Sequence, residues 1–115
     1  MAFSEFEIAK INKTVNAYIE KHRPPVHLRE QVDLGFRLSD QSVEIFEIRP
    51  VWRDESKKME HLVAKATFTK NQDMWKIYWL RADLKWHRYE PCPDVKTIEE
   101  FLTVVEQDDC ACFFG

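Results

Sequence analysis

The segment from Trp75 to Tyr89 brings together the side chains best suited to contact another molecule. Aromatic rings alternate there with cations. The members are Trp75, Lys76, Tyr78, Trp79, Arg81, Lys85, Trp86, His87, Arg88 and Tyr89. Exposed rings can stack on bases while neighbouring cations hold phosphates, as in sheets that bind single strands. The same cations could instead lie over rings of their own protein. A structural interpretation therefore stays open, with the alternating rings in the core and the cations on a solvated face.

A second group could carry acid–base chemistry. Arg49 and Glu47 share one strand parity, and they would meet Arg81 and His87 if their two strands were neighbours. A guanidinium binds carboxylate or phosphate in a forked geometry, and histidine can act as general acid or base. Such a cluster predicts metal-independent RNA cleavage. The structural alternative is a Glu47–Arg81 or Asp83–Arg49 ion pair at the sheet edge.

The histidines and cysteines are the candidates for metal ligands or nucleophiles. They are His22, His27, His61, His87, Cys92, Cys110 and Cys112. Structural zinc sites usually carry paired C-x2-4-C ligands, which this set lacks, so Cys110 and Cys112 are expected to be buried free thiols. The sequence also contains no G-x-S-x-G, P-loop or G-x-G-x-x-G motif. It therefore predicts no metal and no cofactor, and it does not favour an enzyme.

Charge and composition restrict the cellular setting. A net charge of −3 over 115 residues predicts no general attraction to nucleic acid or to anionic membranes. No stretch approaches the ~18 apolar residues of a membrane span, and the first ten residues lack the basic start and apolar run of a signal peptide. Three cysteines cannot all pair within one chain. We expect a cytoplasmic protein with free thiols, folded as a single domain over residues 1–115.

Two helices are predicted at the ends of the chain. Ser4 and Glu7 form a capping box for a helix over about residues 5–22, which must end before Pro24 because the residue preceding a proline leaves helical geometry. Thr97 and Glu100 have the capping-box spacing again, and the apolar residues after them repeat at helical intervals. The sequence therefore predicts an N-terminal and a C-terminal helix.

Alternating apolar residues predict strands between the helices. The strands cover residues 32–38, 42–52, 62–68, 74–81 and 84–89, and the polar residues 53–60 are expected to form a solvated loop. Within the second strand the apolar parity changes between Ile45 and Phe46, which predicts a bulge or burial on both faces. The predicted fold is α+β: an antiparallel sheet of four or five strands flanked by the two helices, in two layers.

Several of these segments resemble a known family. They are RPP at 23–25, SVEIFEIRPVW at 42–52, VAKATF at 63–68, WKIYWLRADLKWHRYEP at 75–91 and the terminal CFFG. The chain resembles the bacterial family called domain of unknown function (DUF) 3024, and its most specific part is W-x-x-Y-W-x-R followed by W-H-x-Y-x-P. That family has no established activity to carry over to individual residues. The resemblance implies a compact bacterial cytoplasmic domain and leaves function open.

The leading hypothesis is a binding or adaptor module that uses an aromatic and basic sheet surface. Its partner would be a protein segment or single-stranded nucleic acid, and the net charge favours protein. The predicted contact residues are Arg49, Trp52, Trp79, Arg81, Trp86, His87 and Tyr89. One alternative is an RNA-processing enzyme that uses His87 with Arg81, Arg49 and Glu47. Another is a homo-oligomer whose aromatic face is the subunit interface.

Overall fold

The computed structural model of the chain describes residues 3–51 and 53–107, which form two helices and six strands. The elements follow one another as α1 (Glu5–His22), β1 (Asp33–Ser39), β2 (Ser42–Val51), β3 (Asp54–Thr69), β4 (Met74–Leu80), β5 (Trp86–Arg88), β6 (Asp94–Val95) and α2 (Ile98–Gln107). A short 3-10 turn, Val26–Leu28, connects α1 to β1. The α+β prediction is confirmed.

Local signals explain where the helices begin and end. At the start of α1 the Glu7 amide donates to Ser4 Oγ at 3.2 Å, and the Ser4 amide donates to the Glu7 carboxylate at 3.0 Å. The helix ends at Arg23, whose backbone is extended because Pro24 follows. At the start of α2 the Glu100 amide donates to Thr97 Oγ1 at 3.2 Å. Neither helix of the described part is long and apolar enough to cross a membrane.

Both helices cover the same face of the sheet. The strands run antiparallel in the order β1-β2-β3-β4-β5, and β6 pairs with β4 beside β5. Successive strand residues point to opposite faces, and the core contains residues of one parity together with both helices. The sheet residues of this inner face include Leu34, Phe36, Leu38, Val43, Ile45, Ala64, Ala66, Trp75 and Ile77. The described helices thus leave the other face uncovered, and we call it the open face.

The predicted loop at residues 53–60 is wrong. Arg53 is in a turn, and residues 54–60 form the first half of β3, where Arg49 pairs with Met59 and Pro50 with Lys58. Residues 53, 54 and 56–60 are exposed, so no alternation of apolar and polar residues signals a strand there. Pairing with β2 through the backbone determines the structure of this segment, and the sequence pattern does not report it.

The irregularity predicted in β2 is confirmed, but the extra residue belongs to β3. Ile45 pairs with Ala64 and the next residue, Phe46, pairs with Leu62, so that Val63 has no partner in the register. Val63 is buried in the core beside Ala64, whereas Phe46 is buried on the open face. The parity change in the sequence therefore reflects burial on both faces of β2.

Candidate functional site

The residues predicted to form one contact surface lie on both faces of the sheet. Trp79 pairs with His87 on the inner face, whereas Trp86 pairs with Leu80 on the open face. Tyr89 was predicted to be exposed and is only 2% exposed, which corrects that assignment. Its amide donates to the Ile77 carbonyl at 2.9 Å, which places its side chain inward beside the core of β4. Trp52 lies outside the described residues.

Four of the predicted residues line one depression of about 340 Å³ near the ends of β4 and β5. Its lining is Trp79, Arg81, His87, Arg88, Tyr89, Glu90 and Pro91. The guanidinium of Arg81 lies 5.4 Å from the centre of a Trp79 ring. His87 Nε2 lies 2.9 Å from Asp83 Oδ2. This hydrogen bond, with a second one from the Lys85 amide, lowers the pKa of the Asp83 carboxyl.

Glu47 and Arg49 do not line that depression. Arg49 Nη2 lies 3.3 Å from Glu47 Oε2, so the two residues pair with each other on β2. Glu47 lines a separate depression of about 290 Å³ that also contains His22. Glu47 therefore pairs with Arg49 and not with Arg81. Asp83 likewise pairs with His87 and not with Arg49. The structure brings Arg81 and His87 together and leaves the other two residues of the cluster elsewhere.

The open face holds a second arrangement, which the strand register creates. Arg37 pairs with Glu44, Glu44 with Lys65, Lys65 with Tyr78, and Tyr78 with Arg88. These five residues form one line across five strands, and we call it the charged row. Side chains directly opposite one another in neighbouring strands interact. The row therefore sets cations, a carboxylate and a ring side by side.

The arginines of the charged row are already neutralised. Arg37 binds Glu44 at 3.1 Å and Glu60 at 2.5 Å. Arg88 lies 3.3 Å from Asp94. Glu60 and Glu44 raise the pKa of the Arg37 guanidinium, and Glu60 contributes most. Both ends of the row thus present paired charges.

Lys65, at the centre of the row, differs from the arginines. Its Nζ lies 5.1 Å from the Tyr78 ring centre and 5.0 Å from a Trp86 ring centre. Among the described residues no carboxylate lies within 4.0 Å of this ammonium group. Partial burial lowers the pKa of Lys65, and Glu44 opposes that shift. A cation between two rings keeps much of its charge available, because aromatic faces attract it without neutralising it.

An apolar strip borders the charged row. The Phe46 ring is 6% exposed and lies 4.9 Å below the Arg37 guanidinium. It also covers Gly35, where an added Cβ would stand 2.8 Å from the Phe46 ring. Leu62, paired with Phe46, continues the strip into β3. Because the Phe46 ring is buried, the apolar surface of the strip lies at the half-buried Leu62, on the same strand as Lys65.

Sequence reasoning missed Lys65 and did not select Tyr78 as a contact residue. The alternation in VAKATF and WKIYW places both residues on the face of the sheet that points away from the core. This alternation could have identified them from the sequence. The pairing of Lys65 with Tyr78 depends on the register between β3 and β4. That register comes from the fold and cannot be read from either strand alone.

No metal centre is evident in residues 3–51 and 53–107. No group of three histidine, cysteine, aspartate or glutamate side chains there has a geometry that could hold an ion. Cys92 is half-buried, and Cys110 and Cys112 lie outside the described residues. Burial raises the pKa of the Cys92 thiol, and Glu100 and Asp94 raise it further. The described thiol is therefore not activated.

Fold and site together define a two-layer α+β chain with a helix-backed antiparallel sheet, whose second face is free of described helices. The family model with the description "Domain of unknown function (DUF3024)" matches residues 3–115. The chain belongs to this family. No curated protein and no solved structure matches the chain.

Proposed function

We propose that the chain is a binding module whose open face takes a protein segment with a carboxylate next to an apolar side chain. The observation that carries this proposal is Lys65, whose Nζ lies about 5 Å from two ring centres and within 4.0 Å of no described carboxylate. A carboxylate of the partner forms an ion pair with the ammonium group of Lys65. The rings of Tyr78 and Trp86 and the half-buried Leu62 receive the neighbouring side chain.

Partial burial makes Lys65 a better recognition element than a fully exposed lysine. An exposed ion pair contributes about 0–1 kcal/mol, because water screens it. Beside rings that exclude water the effective dielectric is lower, and an incoming carboxylate interacts more strongly with the ammonium group. Tyr78 and Trp86 also restrict the lysine side chain, so less conformational entropy is lost on binding.

The charges of the open face favour a protein segment over nucleic acid. Binding a phosphate backbone needs several cations free to replace counterions. Arg37 and Arg88 are occupied by carboxylates of their own chain, and the whole chain carries a net charge of −3. Lys76 also lies on the open face without an ion pair among the described residues, but only Lys65 lies between two rings. Two such cations are few for a phosphate backbone, whereas a protein segment supplies a single carboxylate for Lys65 together with an apolar side chain.

The test begins with a random peptide library displayed on phage and selected on the immobilised protein. The peptides recovered most often are expected to contain aspartate or glutamate next to an apolar residue. Isothermal titration then compares the affinity of one selected peptide for the wild type and for Lys65→Gln. We expect Lys65→Gln to weaken binding about tenfold, which corresponds to about 1.4 kcal/mol.

Two further variants serve as controls. Lys65→Arg keeps the positive charge and is expected to retain most of the affinity. Lys13→Gln removes an exposed lysine on α1 and should leave the affinity unchanged. Selected peptides without acidic residues, or equal affinities for Lys65→Gln and Lys13→Gln, would reject the proposal.

A further inference from the structure

The free edge of the sheet at β1 lacks the protection that edge strands usually carry. Among the described strands β1 pairs only with β2, over the whole length Asp33–Ser39 and without a shift in register. Edge strands are commonly guarded by proline, lysine or a bulge, because unpaired backbone groups invite another strand. β1 contains no proline and no lysine. Its edge is therefore competent to pair.

Alternate residues of β1 direct their backbone groups to that edge. Ser39 pairs with Ser42 across a two-residue turn, which makes them a hydrogen-bonded pair and sets the alternation along the strand. By this alternation Leu34, Phe36 and Leu38 point their backbone groups away from β2. The hydrogen bond of the Leu34 amide is consistent with this direction, because the amide donates to a side-chain oxygen of its own strand, Asp33 Oδ1, at 2.8 Å. The amides of Phe36 and Leu38 donate to no turn or loop carbonyl within the described residues.

The charged side chains of β1 are drawn away from the edge. Arg37 lies over the Phe46 ring and binds carboxylates of β2 and β3. Asp33 binds the Arg23 guanidinium, with a shortest distance of 2.7 Å. Because both charges are engaged within their own chain, neither guards the backbone of the edge.

We propose that β1 pairs antiparallel with β1 of a second copy of this chain, about a two-fold axis at Phe36. Phe36 then exchanges both backbone bonds with Phe36 of the second copy. The Leu38 amide donates to the Leu34 carbonyl of the second copy. By symmetry, the Leu38 amide of the second copy donates to the Leu34 carbonyl of the first. The two sheets join into one.

The sequence of β1 is compatible with itself in this register. Leu34 faces Leu38 of the second copy on the inner side, and both are only half-buried within one chain, whereas Val43 and Ile45 of β2 are fully buried. On the open side Arg37 faces Gly35 of the second copy, so no like charges stand directly opposite. Arg37 and its symmetry mate are diagonal neighbours, but each is already neutralised by its own carboxylates.

The opposite edge of the sheet does not offer the same opportunity. β5 covers only Trp86–Arg88, and Pro91 and Pro93 separate it from the two-residue strand β6. Proline has no amide hydrogen to contribute to a strand pair. Among the described strands, the long continuous edge is that of β1.

The test combines mass and hydrogen exchange on the full chain. Sedimentation equilibrium is expected to show twice the 13.8 kDa of one chain at high concentration. Exchange of the Phe36 and Leu38 amides, followed by NMR, should slow by about threefold to sevenfold between about 10 and 500 µM protein, because exchange then occurs from the free monomer, whose fraction falls at most with the square root of the concentration. The Arg37 amide, which faces β2, should be protected at both concentrations. A single-chain mass at the higher concentration, or a dimer without added protection of Phe36 and Leu38, would overturn the inference.

Two variants at one position separate the backbone from the side chain. Leu38→Pro removes the edge-facing amide and leaves the amides that bond β2 in place, whereas Leu38→Ala removes the same side chain and keeps the amide. The alanine variant should still form the dimer and the proline variant should be a single chain. Equal association of two folded variants counts against edge pairing. Should the proline variant fail to fold, the exchange experiment on the wild type decides alone. Lys65 lies on β3, away from this edge, so the peptide affinities and the self-association succeed or fail separately.

Discussion

The close approach of Phe46 to Gly35 predicts that Gly35→Ala destabilises the fold. A Cβ at position 35 would lie 2.8 Å from Phe46 Cε1 and 3.1 Å from Cζ, closer than carbon atoms normally approach. At an unhindered strand position, replacing glycine would stabilise by about 0.5–1 kcal/mol. Forcing an extra carbon against a packed ring costs about 1–3 kcal/mol. The ring lies under Arg37 and is nearly buried, so it has little room to retreat. We expect a net loss of about 1–2 kcal/mol in the free energy of unfolding.

Urea denaturation followed by tryptophan fluorescence measures this loss. The matched control is the double variant Gly35→Ala/Phe46→Leu, in which the ring that blocks the Cβ is gone. In a double-mutant cycle the alanine should then cost less, with a coupling of about 1 kcal/mol. A Gly35→Ala protein as stable as the wild type, or a cycle with no coupling, would refute the steric reasoning.

Three further outcomes follow from the described contacts. Ser4→Ala should lower the free energy of unfolding by about 1 kcal/mol through loss of the α1 cap, and unchanged urea stability would contradict this. Arg23 holds the pKa of the Asp33 carboxyl below its usual value, so the pair's stabilisation is complete above the unfolded pKa near about 4 and is lost as pH falls through the lower folded value. Asp33→Asn should therefore flatten the acid side of the stability–pH profile, and an unchanged slope would count against it. Because its pKa is raised, Cys92 should react with iodoacetamide more slowly in the folded protein at pH 8 than after unfolding; equal rates by peptide mass spectrometry would show that burial does not protect it.

The elements that carry local signals could be predicted from the sequence. The Ser4–Glu7 box and Pro24 specify where α1 begins and ends, and alternation identifies β1, β2 and β4. These signals depend on a residue and its near neighbours, and they do not depend on which strands meet. For the same reason the two-layer α+β class could be predicted from the sequence.

The arrangement of the candidate site could not be predicted, because it depends on pairing between distant segments. Alternation shows that Trp79 and Trp86 each belong to a strand, but only the β4–β5 register shows that they point to opposite faces. In the sequence Tyr89 continues an aromatic segment that was expected to be exposed, yet its backbone bond to Ile77 turns it into the core. The long exposed half of β3 has no alternation because its stability comes from backbone pairing with β2.

The central claim is that the open face around Lys65 is the contact surface, and NMR mapping of a bound peptide tests it most directly. A peptide selected on the wild type is titrated into labelled protein while the backbone amide and tryptophan indole signals are followed. The account predicts the largest shifts at Lys65, Tyr78 and Trp86, with small shifts at the buried Ile77. Shifts confined to the depression beside Trp79 and Arg81, or an unchanged Trp86 indole signal at saturation, would contradict it.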